Sequence, residues 1–160
     1  MHAIMRELEK LFAYGEETIT MKDIDRMVTK LPQSRVFEMI DCMMKRDAEG
    51  VFSLLEQAKT LKESPFMILE NLTGYFSKIL YTRILMQDGA SPTEVAAKIK
   101  VPPFFVKDYI SYAKRFSHDF LTDAICKINA IDYDIKRGKA RDWLSIEQFF
   151  ADCILYQKKN

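Results

Sequence analysis

The sequence predicts an all-α protein, a bundle of roughly nine helices. Three observations carry this. Apolar residues recur at spacings of three and four nearly throughout the chain, the period of a helix with one buried face. Ser, Asp and Ser-Pro signals stand where such runs begin. No stretch alternates apolar and polar residues with β-branched enrichment and turn dipeptides, so no strand is required.

The elements follow in order. Ile4, Leu8, Leu11 and Phe12 share one face of a first helix that Gly15 stops, and Thr20 caps a short second one carrying Ile24, Met27 and Val28. Pro32 closes this section, which holds too little apolar material to fold alone. Ser34 is placed to cap a third helix through Val36, Phe37, Met39, Ile40, Met43 and Met44. Asp47 starts a fourth, striped by Val51, Leu54, Leu55, Ala58 and Leu61. Ser64-Pro65 sets an N-cap followed by proline at the first helical position, where a missing N–H costs nothing. The fifth helix, running to Gly89, is the longest. Its apolar residues, from Ile68 and Leu69 through Tyr75 and Phe76 to Ile84 and Leu85, cover more than one face, so it is expected at the centre with neighbours on several sides.

Ser91-Pro92-Thr93-Glu94 repeats the cap-proline signature and adds the Glu of a capping box. Val95, Ala96 and Ile99 stripe that short helix, and Pro102-Pro103 ends it. A seventh helix holds Phe105, Tyr109, Tyr112, Ala113 and Phe116. Ser117 caps the eighth, striped by Leu121, Ala124, Ile125, Ile128, Ile131 and Ile135 and stopped by Gly138. The ninth, from about Asp142, carries Trp143, Ile146, Phe149, Phe150, Cys153 and Ile154, with Lys158 and Lys159 at its C-terminal end, where the helix dipole favours cations. No repeat of fixed period is present.

Composition narrows the function classes. At 160 residues, 48% of them apolar, folding buries about 70% of the unfolded surface, enough for one core. Only 5 Gly and 5 Pro exclude collagen-like and low-complexity readings. The net charge of +1 supplies no bulk attraction to nucleic acid or an anionic membrane. Cys42, Cys126 and Cys153 are odd in number, far apart and set among apolar residues; they read as buried free thiols in a reducing compartment. No 18-residue apolar run and no signal-peptide pattern occur, so a cytoplasmic location is expected.

The catalytic signatures are missing. The five glycines, at 15, 50, 74, 89 and 138, are isolated, and no Walker-type Gly-Lys-Thr or Gly-Lys-Ser is present to cradle a phosphate. His2 and His118 do not stand at metal-ligand spacing with any Cys, so neither a metal nor another cofactor is expected. Of the paired carboxylates, Asp132 borders an apolar stripe but precedes Lys136 by four, which reads as an i,i+4 ion pair rather than an acid–base site. Basic residues cluster at Lys98 and Lys100, at Lys107, Lys114 and Arg115, and at Lys136, Arg137, Lys139 and Arg141; Phe104, Phe105, Tyr109 and Tyr112 lie near the middle group. Cations beside aromatics suit a nucleic-acid backbone and its bases. A helical nucleic-acid-binding module using residues 107–115 and 136–141 is therefore the alternative function. The aromatics nevertheless keep helical core spacing. A helix-turn-helix over Ser91 to Phe116 is disfavoured too, since Pro102, Pro103, Phe104 and Phe105 stand where a recognition helix needs basic and polar residues.

The order of these features resembles the C-terminal part of the delta subunit of the bacterial DNA polymerase III clamp loader. The likeness runs through LEKLFAYGEETITMKDIDRMV (Leu8 to Val28), similar to the end of the family's small lid domain, and VFEMIDCMMKRDAEGVFSLLEQ (Val36 to Gln57), where its collar domain begins. It is strongest in SPTEVAAKIKVPPFFVKDYISYAKRFS (Ser91 to Ser117) and DYDIKRG (Asp132 to Gly138). The resemblance implies a lid-domain remnant over residues 1–32 and a helical collar, or oligomerisation, domain over 33–160. It implies scaffolding within the sliding-clamp loader in DNA replication, by side-by-side association with the collars of the ATPase and delta-prime subunits. The clamp-opening N-terminal domain of the family would be absent, so contact with the sliding clamp would run only through that missing part. Direct DNA contact would be weak or indirect. The start at MHAIMRELEK, inside a helical element, agrees with a fragment. No catalytic residue carries over, although the parent complex is a polymerase holoenzyme. Partner or DNA contacts are assigned to exposed Tyr109, Tyr112 and Tyr156 and to Lys114, Arg115, Lys136 and Arg137.

Overall fold

The structure, a computed structural model, describes residues 32–159, with side chains over 35–156. The chain divides between Leu31 and Pro32 into two units, and the described residues belong to the second. The two helices expected between Ile4 and Val28 lie outside the described residues. The other seven expected helices are all present: α1 (Pro32–Met44), α2 (Ala48–Thr60), α3 (Pro65–Gln87), α4 (Pro92–Ile99), α5 (Val106–Arg115), α6 (His118–Lys136) and α7 (Asp142–Lys159).

The caps explain most of these boundaries. Asp47 accepts the Gly50 N–H at 2.8 Å, and a Cβ at Gly50 would press on the Asp47 carboxylate and on Cys42 Sγ, so a larger residue there would push the capping side chain out of place. Ser91 and Glu94 complete the capping box, with the Glu94 carboxylate accepting the Ser91 N–H at 2.8 Å. Ser117 accepts the Phe120 N–H at 3.1 Å. Gly138, at φ 69°, follows the end of α6, a left-handed position that favours glycine.

Two local expectations, at Ser34 and Phe105, are corrected. Helix α1 begins at Pro32, so Ser34 lies inside the first turn rather than at the cap; the ring of Pro32 presets a helical φ. Ser64 and Pro65 take the N-cap and first helical positions of α3 as expected, with the Ser64 carbonyl accepting the Met67 and Ile68 N–H groups and its side chain making no capping bond. Phe105 is not within α5 but at its N-cap position, because the Phe105 N–H closes a turn onto the Pro102 carbonyl.

Helix α3 is the central element, packing against α1, α4, α5, α6 and α7. Its Phe76 is fully buried, edge-on to Phe149 of α7 at 5.8 Å and tilted against Phe116 at 6.4 Å. The α1–α2 and α6–α7 hairpins close the core with Met39, Ile40, Met43, Leu55, Ile128, Ile146 and Phe150, all sealed from water. Thr82, buried on α3, donates its hydroxyl to the Lys78 carbonyl one turn back.

Charged groups tie the elements together. Buried Arg35 of α1 pairs with Glu63 in the α2–α3 connection. Lys59 of α2 bridges Glu56 and Glu147 of α7. The expected Asp132–Lys136 ion pair forms at 2.6 Å. The cysteine expectation holds only in part. All three are free thiols, but only Cys153 is buried; Cys42 is half-buried and Cys126 is exposed. Cys126 sits one position off the Leu121, Ala124, Ile125 and Ile128 stripe of α6, so its apolar sequence neighbours face the core while it faces out.

Candidate interaction surface

Aromatic side chains were expected at the surface, and here burial separates them. Tyr109 and Tyr112 of α5 are only 4% and 7% exposed, so their assignment as exposed contacts is corrected. They fall on the inner face of α5, at i and i+3 with Val106 and Ala113. Tyr109 stacks on Tyr75 at 4.9 Å, and the Tyr112 hydroxyl points to the Asp41 carboxylate at 3.4 Å. Burial raises the hydroxyl pKa values of Tyr75, Tyr109 and Tyr112 above the usual tyrosine range. Tyr156 is exposed on one side and stacked on Phe120 of α6 on the other, 4.5 Å away. From Tyr75 a ladder of rings continues outward through Phe37 and Phe105 to Phe104, which is 70% exposed in the α4–α5 corner.

The basic residues divide in the same way. Arg115 donates to the Met44 carbonyl at 2.9 Å and so caps the C-terminal end of α1. Lys136 is held by Asp132 and lies 5.6 Å over the Phe66 ring. Arg137 lies 5.3 Å over Tyr133 and bonds its hydroxyl. Lys114 points outward, together with Lys107, on the open face of α5. The cations that form clusters in sequence are thus mostly committed to neighbouring side chains and helix ends.

Sequence periodicity did not reveal one open apolar surface. Helix α3, enclosed though it is, leaves Phe66, Met67, Tyr81 and Ile84 each 37–43% exposed. Between these pairs its outward positions are Glu70, Gly74 and Ser77, and a Cβ added at Gly74 would meet nothing within 4 Å. The stripe therefore has bulky apolar residues at both ends and, beyond the carboxylate of Glu70, small residues at Gly74 and Ser77 that leave relief into which a second helix fits. On α6, which packs along α3, Tyr133 is 55% exposed; on α7, Leu144 and Leu155 are exposed to a similar degree. The only hint in the sequence was that the apolar belt of α3 was too wide for one core face. Among the described residues, no three His, Cys, Asp or Glu side chains gather into a metal-holding cluster, and no helix is long and apolar enough to cross a membrane.

Comparison with known proteins gives these surfaces a context. The chain is 27% identical over its whole length to DNA polymerase III subunit delta of Bacillus subtilis (strain 168), of which it spans 47%. It is 25% identical over 130 residues to the probable DNA polymerase III subunit delta of Aquifex aeolicus (strain VF5), spanning 79% of this chain and 37% of that protein. The chain thus spans about half the length of the curated relatives it matches, or less. The solved structure of the Bacillus subtilis DNA clamp loader delta protein superposes with a TM-score of 0.82 at 27% identity, covering 94% of this chain and 45% of the other. The sequence family described as the C-terminal domain of the DNA polymerase III delta subunit matches residues 33–153, the seven-helix unit almost from end to end. The chain belongs to this family, the C-terminal domains of DNA polymerase III delta subunits.

Proposed function

We propose that this chain scaffolds a bacterial sliding-clamp loader in DNA replication, through a helical collar domain formed by residues 33–160, with residues 1–32 as the end of a lid domain. The partners are the collar domains of the ATPase and delta-prime subunits, and the setting is the cytoplasm. Clamp opening belongs to a part of the delta subunit outside this chain, and DNA contact is indirect. Family membership supports this reading, and the observation that carries it is the open apolar stripe of α3. A central helix that leaves Phe66, Met67, Tyr81 and Ile84 in water has a face suited to another helical domain. Exposed Tyr156 and Tyr133, with Arg137 laid over the latter, add the residue types enriched at such contacts.

Light scattering on mixtures of this chain with the isolated collars of the two partner subunits tests the reading. A complex of summed mass at micromolar concentration is expected, and the double variant Tyr81→Glu, Ile84→Glu, which changes only exposed positions, should remove it. No complex with the unaltered chain overturns the collar reading. A complex that the double variant leaves intact moves the interface away from α3.

A further inference from the structure

The outer side of α5 offers a second surface with a different chemistry. Between the first turn of α4 and α5 lies an open groove of about 530 Å³. Its walls are the rings of Pro92 and Pro103 and the side chains of Val106 and Ile110, and Lys107 and Lys114 stand at its edge. No carboxylate lines it. The nearest acidic residues in sequence, Glu94 and Asp108, are not in its lining; Glu94 is held by Ser91 in the capping box. Among the described residues neither lysine is held in an ion pair, in contrast to Lys45, Lys59, Lys127 and Lys136. The N–H of Thr93, also in the lining, belongs to the first turn of α4, where no helical carbonyl accepts it.

We infer that this groove docks an acidic peptide segment carrying one or two large apolar side chains. The volume lies within the range of pockets that bury a small ligand. The proline, valine and isoleucine walls match an aliphatic or aromatic side chain, and the two lysines match flanking carboxylates. Proline walls present rigid apolar surface with little side-chain entropy to lose on binding. A nucleic-acid backbone fits less well. Two lysines would neutralise about two phosphates, a shallow salt dependence that supplies little affinity. The surface is independent of the α3 stripe, so it stands or falls separately from the collar reading.

Fluorescence anisotropy with the full 160-residue chain tests the assignment. The probe is a labelled peptide of four aspartates followed by leucine and phenylalanine. Saturable binding at low salt is expected, weakened about tenfold or more by Lys107→Glu with Lys114→Glu. Both positions are exposed, and circular dichroism checks that the double variant keeps its helices. The same peptide with asparagine for aspartate, and one of aspartates alone, should each bind several-fold more weakly. The Tyr81→Glu, Ile84→Glu variant should bind the probe as the unaltered chain does. Three results would each overturn the inference: no binding of the probe, equal binding of the all-aspartate peptide, or tighter binding of a single-stranded oligonucleotide that displaces the probe.

Discussion

The Arg83 guanidinium on α3 donates to the Phe116 carbonyl at 2.9 Å, and the same nitrogen donates to the Ala113 carbonyl at 2.8 Å. Ala113 lies in the last turn of α5, whose carbonyls have no partner within the helix, and Phe116 is the C-cap residue that follows it. Arg115 does the same for α1 through Met44. Two arginines from other elements thus finish helices that end without glycine, and each also adds a charge of the favourable sign to the helix dipole.

Replacing Arg83 with alanine should therefore destabilise the domain by about 2 kcal/mol, the scale of charge-assisted hydrogen bonds lost from a part-buried site. Urea denaturation of the two proteins measures it. Arg83→Lys should recover only part of the loss, since the shorter lysine carries the charge but does not place its nitrogen where Nη1 reaches both carbonyls.

The Arg35–Glu63 pair makes a sharper case. Both side chains are at least 90% buried, and among the described residues Arg35 Nε and Glu63 Oε2 have no hydrogen-bond partner. Arg35→Ala should cost about 3–5 kcal/mol, because it strands a carboxylate away from water. The double change Arg35→Met with Glu63→Leu should be markedly less damaging than Arg35→Ala alone. A double variant as unstable as the single one would show that the ion pair itself carries the stability.

Thiol chemistry should rank the cysteines by exposure. Ellman's reagent is expected to label Cys126 fast, Cys42 slowly, and Cys153 only on unfolding. Burial pushes the Cys153 thiol up to about 12 from 9.0, so the folded state holds this proton where the unfolded chain releases it. Stability is unaffected by Cys153 below about pH 9 and falls as pH rises above it. Cys153→Ala should flatten that alkaline decline, which melting temperatures between about pH 8 and 11 would reveal.

At the acid end the Ser91–Glu94 capping box should dominate local behaviour. The Ser91 N–H and hydroxyl hold the Glu94 carboxyl below its usual 4.5. A lowered folded pKa gives stability that is present above the unfolded value and lost as pH falls through the folded one. Glu94→Gln should remove this dependence, so its melting temperature should change less than that of the unaltered protein between about pH 5 and 3.

Much of the fold was legible because its signals are local. Asp47, Ser91 and Ser117 cap the helices they precede, and Gly138 takes the left-handed turn that ends α6. Where the reading slipped, a different local contact prevailed. The ends at Arg46, Lys62 and Lys100 carry φ values of 54–61° on basic residues instead of glycine, so no glycine marked them. These side chains stand near helix C-termini, where a positive charge offsets part of the backbone strain.

The surface was far less legible. Tyr109 and Tyr156 look alike in sequence, yet one lies between α5 and α3 while the other keeps one face in water. Lys114 and Arg115 are adjacent residues, yet only Arg115 reaches the Met44 carbonyl of a helix 71 positions away. Helix period, caps and breakers depend on residues within a turn or two of each other, so the sequence by itself determined the seven helices, their order and the family they belong to. Which faces stay open depends on how helices distant in the chain pack. Only the tertiary structure decided that α3 leaves an apolar stripe exposed, that most clustered cations are already engaged, and that Lys107 and Lys114 edge an apolar groove with no ion-pair partner among the described residues.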